Sequence, residues 1–176
     1  MAQRHRPVLG GAPSSAALKR VYFSVYASPI GELLLTGDSA ALTGVCFPNW
    51  TPDPLWQRDD AAFAEVIAQL QSYFAGELTE FSLALAPHGT PFQQRVWSAI
   101  LTVPYGMTTS YGRLAVQLGD SRATRAVGLA NGRNPIPIII PCHRVIGADG
   151  SLTGYGGGME RKHWLLALEG LALPFV

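Results

Sequence analysis

The sequence predicts two units in one chain: an α/β N-terminal domain followed by a mostly α C-terminal domain with a helix-turn-helix. Three observations carry this. Short apolar or alternating runs fill residues 21–47, apolar residues from Phe63 to Phe74 recur at helical spacing, and short helical stretches separated by turn sequences follow residue 89. A chain of 176 residues that is 48% hydrophobic can bury a sizeable core in one domain or two small ones, which excludes disorder over most of its length. No run of about 18 apolar residues is present, which excludes a spanning helix.

Residues 1–20, rich in Arg, Pro, Gly, Ala and Ser, read as a flexible basic extension without the apolar core of a signal peptide. VYFSVYA, ELLLTG and ALTGVCF, with SPIG and GDSA between them, read as a strand meander. PNWTPDPLWQRDD carries three prolines and reads as a loop. Phe63, Val66, Ile67, Leu70, Tyr73 and Phe74 mark one face of a helix that ends near Gly76. FSLALA reads as one more strand, closing a first unit over residues 21–86.

APHG marks the boundary, and residues 87–176 form the second unit. Thr90 can cap a helix, Pro91 suits its first position and Gln93 closes a capping box. Phe92, Val96, Trp97, Ile100 and Leu101 make its buried stripe, and VPYGM ends it. SYGRLAVQLG and RATRAVGLANG are two short helices joined by the turn DSRA, the pattern of a helix-turn-helix. MERKHWLLALEG is the last helix.

Charge divides along the chain. Residues 1–20 hold four bases and no acid, residues 21–86 one base against eight acids, and residues 87–176 eight bases against four acids. A basic C-terminal half points to nucleic acid there, although ordinary surface variation gives the same pattern. The third helix carries Ala123, Ala126, Gly128, Ala130 and Gly132, small residues that suit close approach to a groove or tight packing on another helix. Its arginines Arg122, Arg125 and Arg133 favour phosphate contact. Two cysteines make neither a disulfide scaffold nor a four-cysteine zinc site, and the histidines show no ligand spacing. No metal is expected. A reducing, cytoplasmic compartment is the default.

Cys46 sits in an alternating strand and reads as a structural core cysteine. Cys142 differs. Prolines at 135, 137 and 141 fix the backbone around it, and His143 and Arg144 follow directly and could favour a thiolate. Neighbours on a strand face opposite ways, so His143 reaches the sulfur only through a turn or a bridging water. GYGGG offers close-approach backbone as a floor for a flat ligand. A thiolate here could attack a carbonyl, as in a cysteine hydrolase with His143 and Asn134, or an sp³ carbon.

The segment NPIPIIIPCHRVIG followed by TGYGGG resembles the active-site region of O6-alkylguanine-DNA alkyltransferases (methylated-DNA–protein-cysteine methyltransferases). The likeness extends through GTPFQQRVW, SYGRLA, RAVGLANGRNP and RKHWLLALEG, covering residues 89–170, and YFAGEL fits the family's N-terminal domain. The resemblance implies a ribonuclease H-like N-terminal domain and a winged-helix-like C-terminal one. It implies direct-reversal repair: one irreversible, single-turnover transfer of an alkyl group from O6 of guanine, and O4 of thymine, to Cys142 after the base is flipped out of duplex DNA. It implies no cofactor and a monomer in solution, and it leaves cooperative binding along DNA open. The alternatives are a non-catalytic binder of alkylated lesions, which Cys142 opposes, and a cysteine hydrolase.

By the same resemblance, His143 is linked to Cys142 through water and Glu169 in the last helix polarises it. Tyr111 hydrogen-bonds the flipped guanine, and Asn134 braces the turn before the active-site strand. The backbone carbonyls of Cys142 and Val145 accept from the guanine amino group. Tyr155 and Pro137 wall the pocket, and Gly156 stands where many relatives carry serine, so a hydroxyl donor is missing. Arg125 fills the gap left in the base stack. Ala126 and Ala130 allow the helix into the minor groove, with Arg122, Thr90 and Gln93 as further DNA contacts.

Overall fold

The structure is a computed structural model that describes residues 20–48 and 50–171. The basic extension expected at residues 1–20 lies, but for Arg20, outside the described residues.

Strands β1 (Tyr22–Ser28), β2 (Gly31–Gly37) and β3 (Leu42–Cys46) form an antiparallel meander. A two-residue strand β4 (Gln57–Arg58) joins β1 in parallel, giving the order β3-β2-β1-β4. This strand lies inside the segment expected to be loop. It is two exposed residues long, too short to show an alternating pattern, and the Gln57 and Asp59 amides donate to the carbonyls of Val21 and Phe23 around the start of β1. FSLALA, expected as a strand, makes only an isolated bridge between Leu85 and Leu42. Beyond that bridge the amide of Val45 is committed to the Pro135 carbonyl of the C-terminal unit at 2.8 Å, so the ladder cannot extend.

Leu33, Leu34 and Leu35 are all buried, which means that both faces of β2 are covered. Helix α1 (Ala64–Phe74) buries Val66, Leu70 and Tyr73, while Ile67 and Phe74 are half-buried.

The C-terminal unit contains α2 (Pro91–Leu101), α3 (Tyr111–Gln117), α4 (Thr124–Gly132) and α5 (Met159–Leu168). Strands β5 (Thr109–Ser110) and β6 (Val145–Ile146) pair in parallel. Thr90 and Gln93 form a reciprocal capping box at the start of α2. Val96, Trp97, Ala99 and Ile100 are its buried residues; Leu101, expected in that stripe, is 46% exposed. Trp97 Nε1 donates to the Ala130 carbonyl at 2.9 Å and fixes α2 against α4.

One apolar core spans both units and includes Leu33, Leu70 and Tyr73 with Trp97, Ile136, Ile140 and Leu165. Arg161 clamps them together: Nε donates to Ile30 O and Nη1 to Gly157 O, both at 2.8 Å, and the guanidinium lies over the Phe47 ring. Among the described residues no helix is long and apolar enough to cross a membrane.

Candidate active site around Cys142

The segment before Cys142 is a buried turn rather than the strand its apolar run predicted. Prolines 135, 137 and 141 lack the N–H groups a ladder needs. Ile138 adopts φ 75°, a left-handed conformation costly for a β-branched residue, and is fully buried. Asn134 spans this turn, with Nδ2 donating to Ile140 O at 2.8 Å and Oδ1 accepting from Ile136 N at 3.0 Å. The chain then turns again. Cys142–Arg144 form a single 3-10 turn in which all three residues are buried.

Behind this turn lies a carboxylate with a full set of donors. Glu169 is not inside α5 but caps its C-terminus. Its Oε1 accepts from His143 Nε2 at 2.8 Å, Arg144 Nη2 at 2.9 Å and the Tyr73 hydroxyl at 2.7 Å. Its Oε2 accepts from Arg144 Nε at 2.9 Å and Gly106 N at 3.2 Å. Burial alone would push the carboxyl up, but the hydrogen bonds from His143, Arg144 and Tyr73 overcome it and hold it at about 2. Burial dominates at His143 and lowers its pKa despite Glu169, so the imidazole is neutral near pH 7. With Nε2–H directed at Glu169, Nδ1 is the lone-pair nitrogen, and it is buried without a protein partner. Arg144, expected to favour a thiolate, instead serves Glu169 and the Val103 carbonyl, at 2.6 Å.

Cys142 itself is 4% exposed. Burial pushes its thiol up to about 11, against the hydrogen bond from Asn134, the Lys162 charge and contact with Tyr155. Lys162 is fully buried on α5, where burial pushes it down to about 8. Its Nζ donates to the carbonyls of Val145 and Thr153, at 2.7 and 2.8 Å.

A cavity of about 250 Å³ beside Cys142 is lined by Pro137, Tyr155 and Gly156 and closed by Cys46, Phe47 and Pro48 of the other unit. Cys46 is therefore an exposed wall residue, not the core cysteine its strand pattern predicted. It ends β3, where the sheet meets the cavity. The Tyr155 hydroxyl is buried there without a hydrogen-bond partner.

In front of the site, Tyr111, Arg122, Arg125, Ala126 and Thr153 line an open groove of about 1090 Å³. The Tyr111 hydroxyl accepts from Thr153 Oγ1 at 3.3 Å. Ala130, expected on this face, is buried at 3% exposure, and its small side chain serves the close packing of α4 on α2. Thr90 and Gln93 direct their side chains into the capping box.

Lys162, Tyr73 and Phe47 belong to the site but carry no motif that marks them as site residues in the sequence. Lys162 and Tyr73 each sit on the apolar stripe of a helix, Lys162 three and four residues before the buried Leu165 and Leu166. A lysine on such a stripe was the readable signal. Phe47 had none, because it reaches the site from another unit.

The fold and site together define a class of protein: a helix-turn-helix unit that carries a buried free thiol beside a His–Glu pair, backed by a small α/β domain. The comparisons narrow this class. Residues 21–87 match the model of the 6-O-methylguanine DNA methyltransferase ribonuclease-like domain, and residues 91–171 that of the DNA binding domain. The methylated-DNA–protein-cysteine methyltransferase of Mycobacterium leprae is 58% identical over 145 residues, 81% of this chain and 88% of that protein. The one from Methanosarcina acetivorans is 50% identical over 85% of this chain and 99% of its own length. Mycobacterium tuberculosis OGT in complex with DNA superposes with a TM-score of 0.81 at 56% identity, covering 84% of this chain and 92% of that one. The chain belongs to the methylated-DNA–protein-cysteine methyltransferase family.

Proposed function

We propose that this protein repairs alkylated duplex DNA by moving an alkyl group from O6 of guanine, and O4 of thymine, onto Cys142. The observation that carries the reading is the buried chain from Glu169 to His143 Nε2, which leaves Nδ1 free as a base for the adjoining thiol.

The thiol proton passes to His143 Nδ1, through one bridging water. The Cys142 thiolate attacks the sp³ carbon bonded to O6. The carbon–sulfur bond forms as the carbon–oxygen bond breaks, and its electron pair goes to the guanine ring. A hydrogen bond from Tyr111 makes that ring a better leaving group. The Cys142 and Val145 carbonyls accept from the guanine amino group, and Asn134 holds the turn that presents the thiol. Pro137, Tyr155 and Gly156 bound the alkyl group. A thioether is a very poor leaving group, so the product persists and each molecule acts once.

Residues 87–176 form the DNA-binding and transfer unit of this reading. Arg125, Ala126 and Arg122 face the duplex, with Arg125 occupying the space of the flipped nucleotide. The partner is duplex DNA carrying O6-alkylguanine. The protein acts as a monomer, in the cytoplasm, where its two free cysteines stay reduced.

Intact-mass measurement after incubation with an oligonucleotide containing O6-methylguanine tests this. One added methyl group per protein, absent in Cys142→Ala, is the expected result. Tight lesion binding without a mass change would overturn it in favour of a non-catalytic binder.

A further inference from the structure

The thiol, imidazole and carboxylate all belong to the C-terminal unit, yet the shortest hydrogen bond to the carboxylate comes from the other one. The Tyr73 hydroxyl, on α1, donates to Glu169 Oε1 at 2.7 Å and lies 3.5 Å from His143 Nε2. Tyr73 is fully buried, its ring packed against Phe81 and edge-on to Tyr105. The phenol keeps its proton, since burial and the neighbouring carboxylate both raise its pKa. Its one proton is therefore available to donate, and Oε1 is the acceptor in place at 2.7 Å.

Oε1 is crowded. Its lone pairs are shared by the Tyr73 hydroxyl, His143 Nε2 and Arg144 Nη2. A donor that takes part of this oxygen weakens its hold on the imidazole, and a less strongly held imidazole is a weaker base.

We propose that Tyr73 is a positioning residue through which the N-terminal unit sets the base strength of His143, and so the pH at which Cys142 becomes reactive. This rests on the reading of His143 as the base for Cys142. The other groups facing the pair are Arg144, Lys162, Tyr105 and the Gly106 amide, and a Tyr73→Phe substitution alters none of these side chains or the amide.

The sign follows. Without the hydroxyl, Glu169 binds the imidazolium more tightly. His143 then holds its proton to higher pH, and the acid limb of the rate profile moves up. A shift of roughly half to one pH unit is expected for one hydrogen bond to a buried carboxylate.

The test is the rate of methyl transfer to Cys142 as a function of pH, with denaturant unfolding alongside. It compares wild type, Tyr73→Phe, Glu169→Gln and Tyr105→Phe, whose lost hydroxyl serves the Leu168 carbonyl rather than the carboxylate. The expected result is an upward shift of the acid limb in Tyr73→Phe only among the two tyrosine variants. A Tyr73→Phe profile that superimposes on wild type, or falls equally at every pH, overturns the proposal. If the limb is unmoved in Glu169→Gln as well, the His143 reading itself has failed. Should Tyr73→Phe not fold, 3,5-difluorotyrosine at position 73 is a stronger donor and must move the limb down; an unmoved limb again overturns the proposal.

Discussion

Lys162 Nζ lies 2.7 Å from the carbonyl oxygen of Val145, with both residues fully buried. The ammonium is thus fixed between β6, which follows the Cys142 turn, and the Thr153 carbonyl at the edge of the glycine-rich loop. It is also the one positive side chain that lowers the pKa of the Cys142 thiol among the causes acting on it.

Lys162→Met keeps the volume but removes the charge and leaves two carbonyls unpaired. Each unpaired carbonyl costs about 1–3 kcal/mol. The thiol, already up at about 11, moves higher. Titrating Cys142 with a disulfide reagent in a Cys46→Ser background, at several pH values, reads this directly. An unchanged thiol titration would remove Lys162 from the site's electrostatics.

Acid should unfold this protein partly through Glu169. Its pKa is lowered from 4.5 to about 2, so the folded state binds fewer protons than the unfolded one between these values. The stability it contributes is complete above pH 4.5 and lost as pH falls toward 2. The side chain is 0% exposed, so screening is slight, and the contribution is on the order of 3 kcal/mol. Glu169→Gln strands the Arg144 guanidinium and costs about 3–5 kcal/mol at neutral pH. Denaturant midpoints across the acid range should fall steeply in wild type and flatten in the variant.

Periodicity made the helices legible. The spacing from Phe63 to Phe74 located α1 to within a residue of its start, and Thr90, Pro91 and Gln93 located the start of α2. Both rest on local chemistry, helical packing on one face and capping of free N–H groups. What failed was non-local. FSLALA alternates like a strand, but whether it pairs depends on where the Val45 amide is spent. Ile138–Ile140 is as apolar as a strand, yet three prolines bend it into a turn. Cys46 reads as core because nothing nearby in sequence says that its strand ends at a cavity. Ala130 is buried where α4 meets α2, and its carbonyl is bound by Trp97, a residue 33 positions away. Cys142 and His143 stand out from the residues themselves and Glu169 by resemblance alone; Tyr73 and Phe47 act across the two units and leave no local trace of it.

Arg125 and Arg122 are both exposed on the groove but should differ in effect. Arg122 lies 3.6 Å from Asp120, a loose surface pair that a phosphate can replace. Arg122→Ala should weaken binding to any duplex and reduce the salt slope by about 1. Arg125→Ala should slow repair of duplex DNA by about tenfold or more, because extruding a base costs a few kcal/mol without a replacement in the stack. Its reaction with the free base O6-methylguanine, which needs no base flipping, should change little. Equal losses on both substrates would place Arg125 elsewhere than in the stack.

Gly157 has no room for a side chain. A Cβ there would come within 2.5 Å of Phe47 Cε2 and 2.8 Å of two further ring atoms. The Phe47 ring cannot simply retreat, since it packs edge-on to Tyr155 and lies beneath the Arg161 guanidinium. Gly157→Ala should therefore cost about 1–3 kcal/mol and displace Tyr155 from the cavity wall, slowing transfer to Cys142. Phe47→Leu loses ring contacts but clears the clash. Combined in one chain, the two substitutions should cost less than the sum of their separate effects. Denaturant unfolding of the four proteins measures the coupling. Strict additivity would mean that the ring and the glycine do not press on one another, and that the N-terminal unit does not shape this side of the pocket.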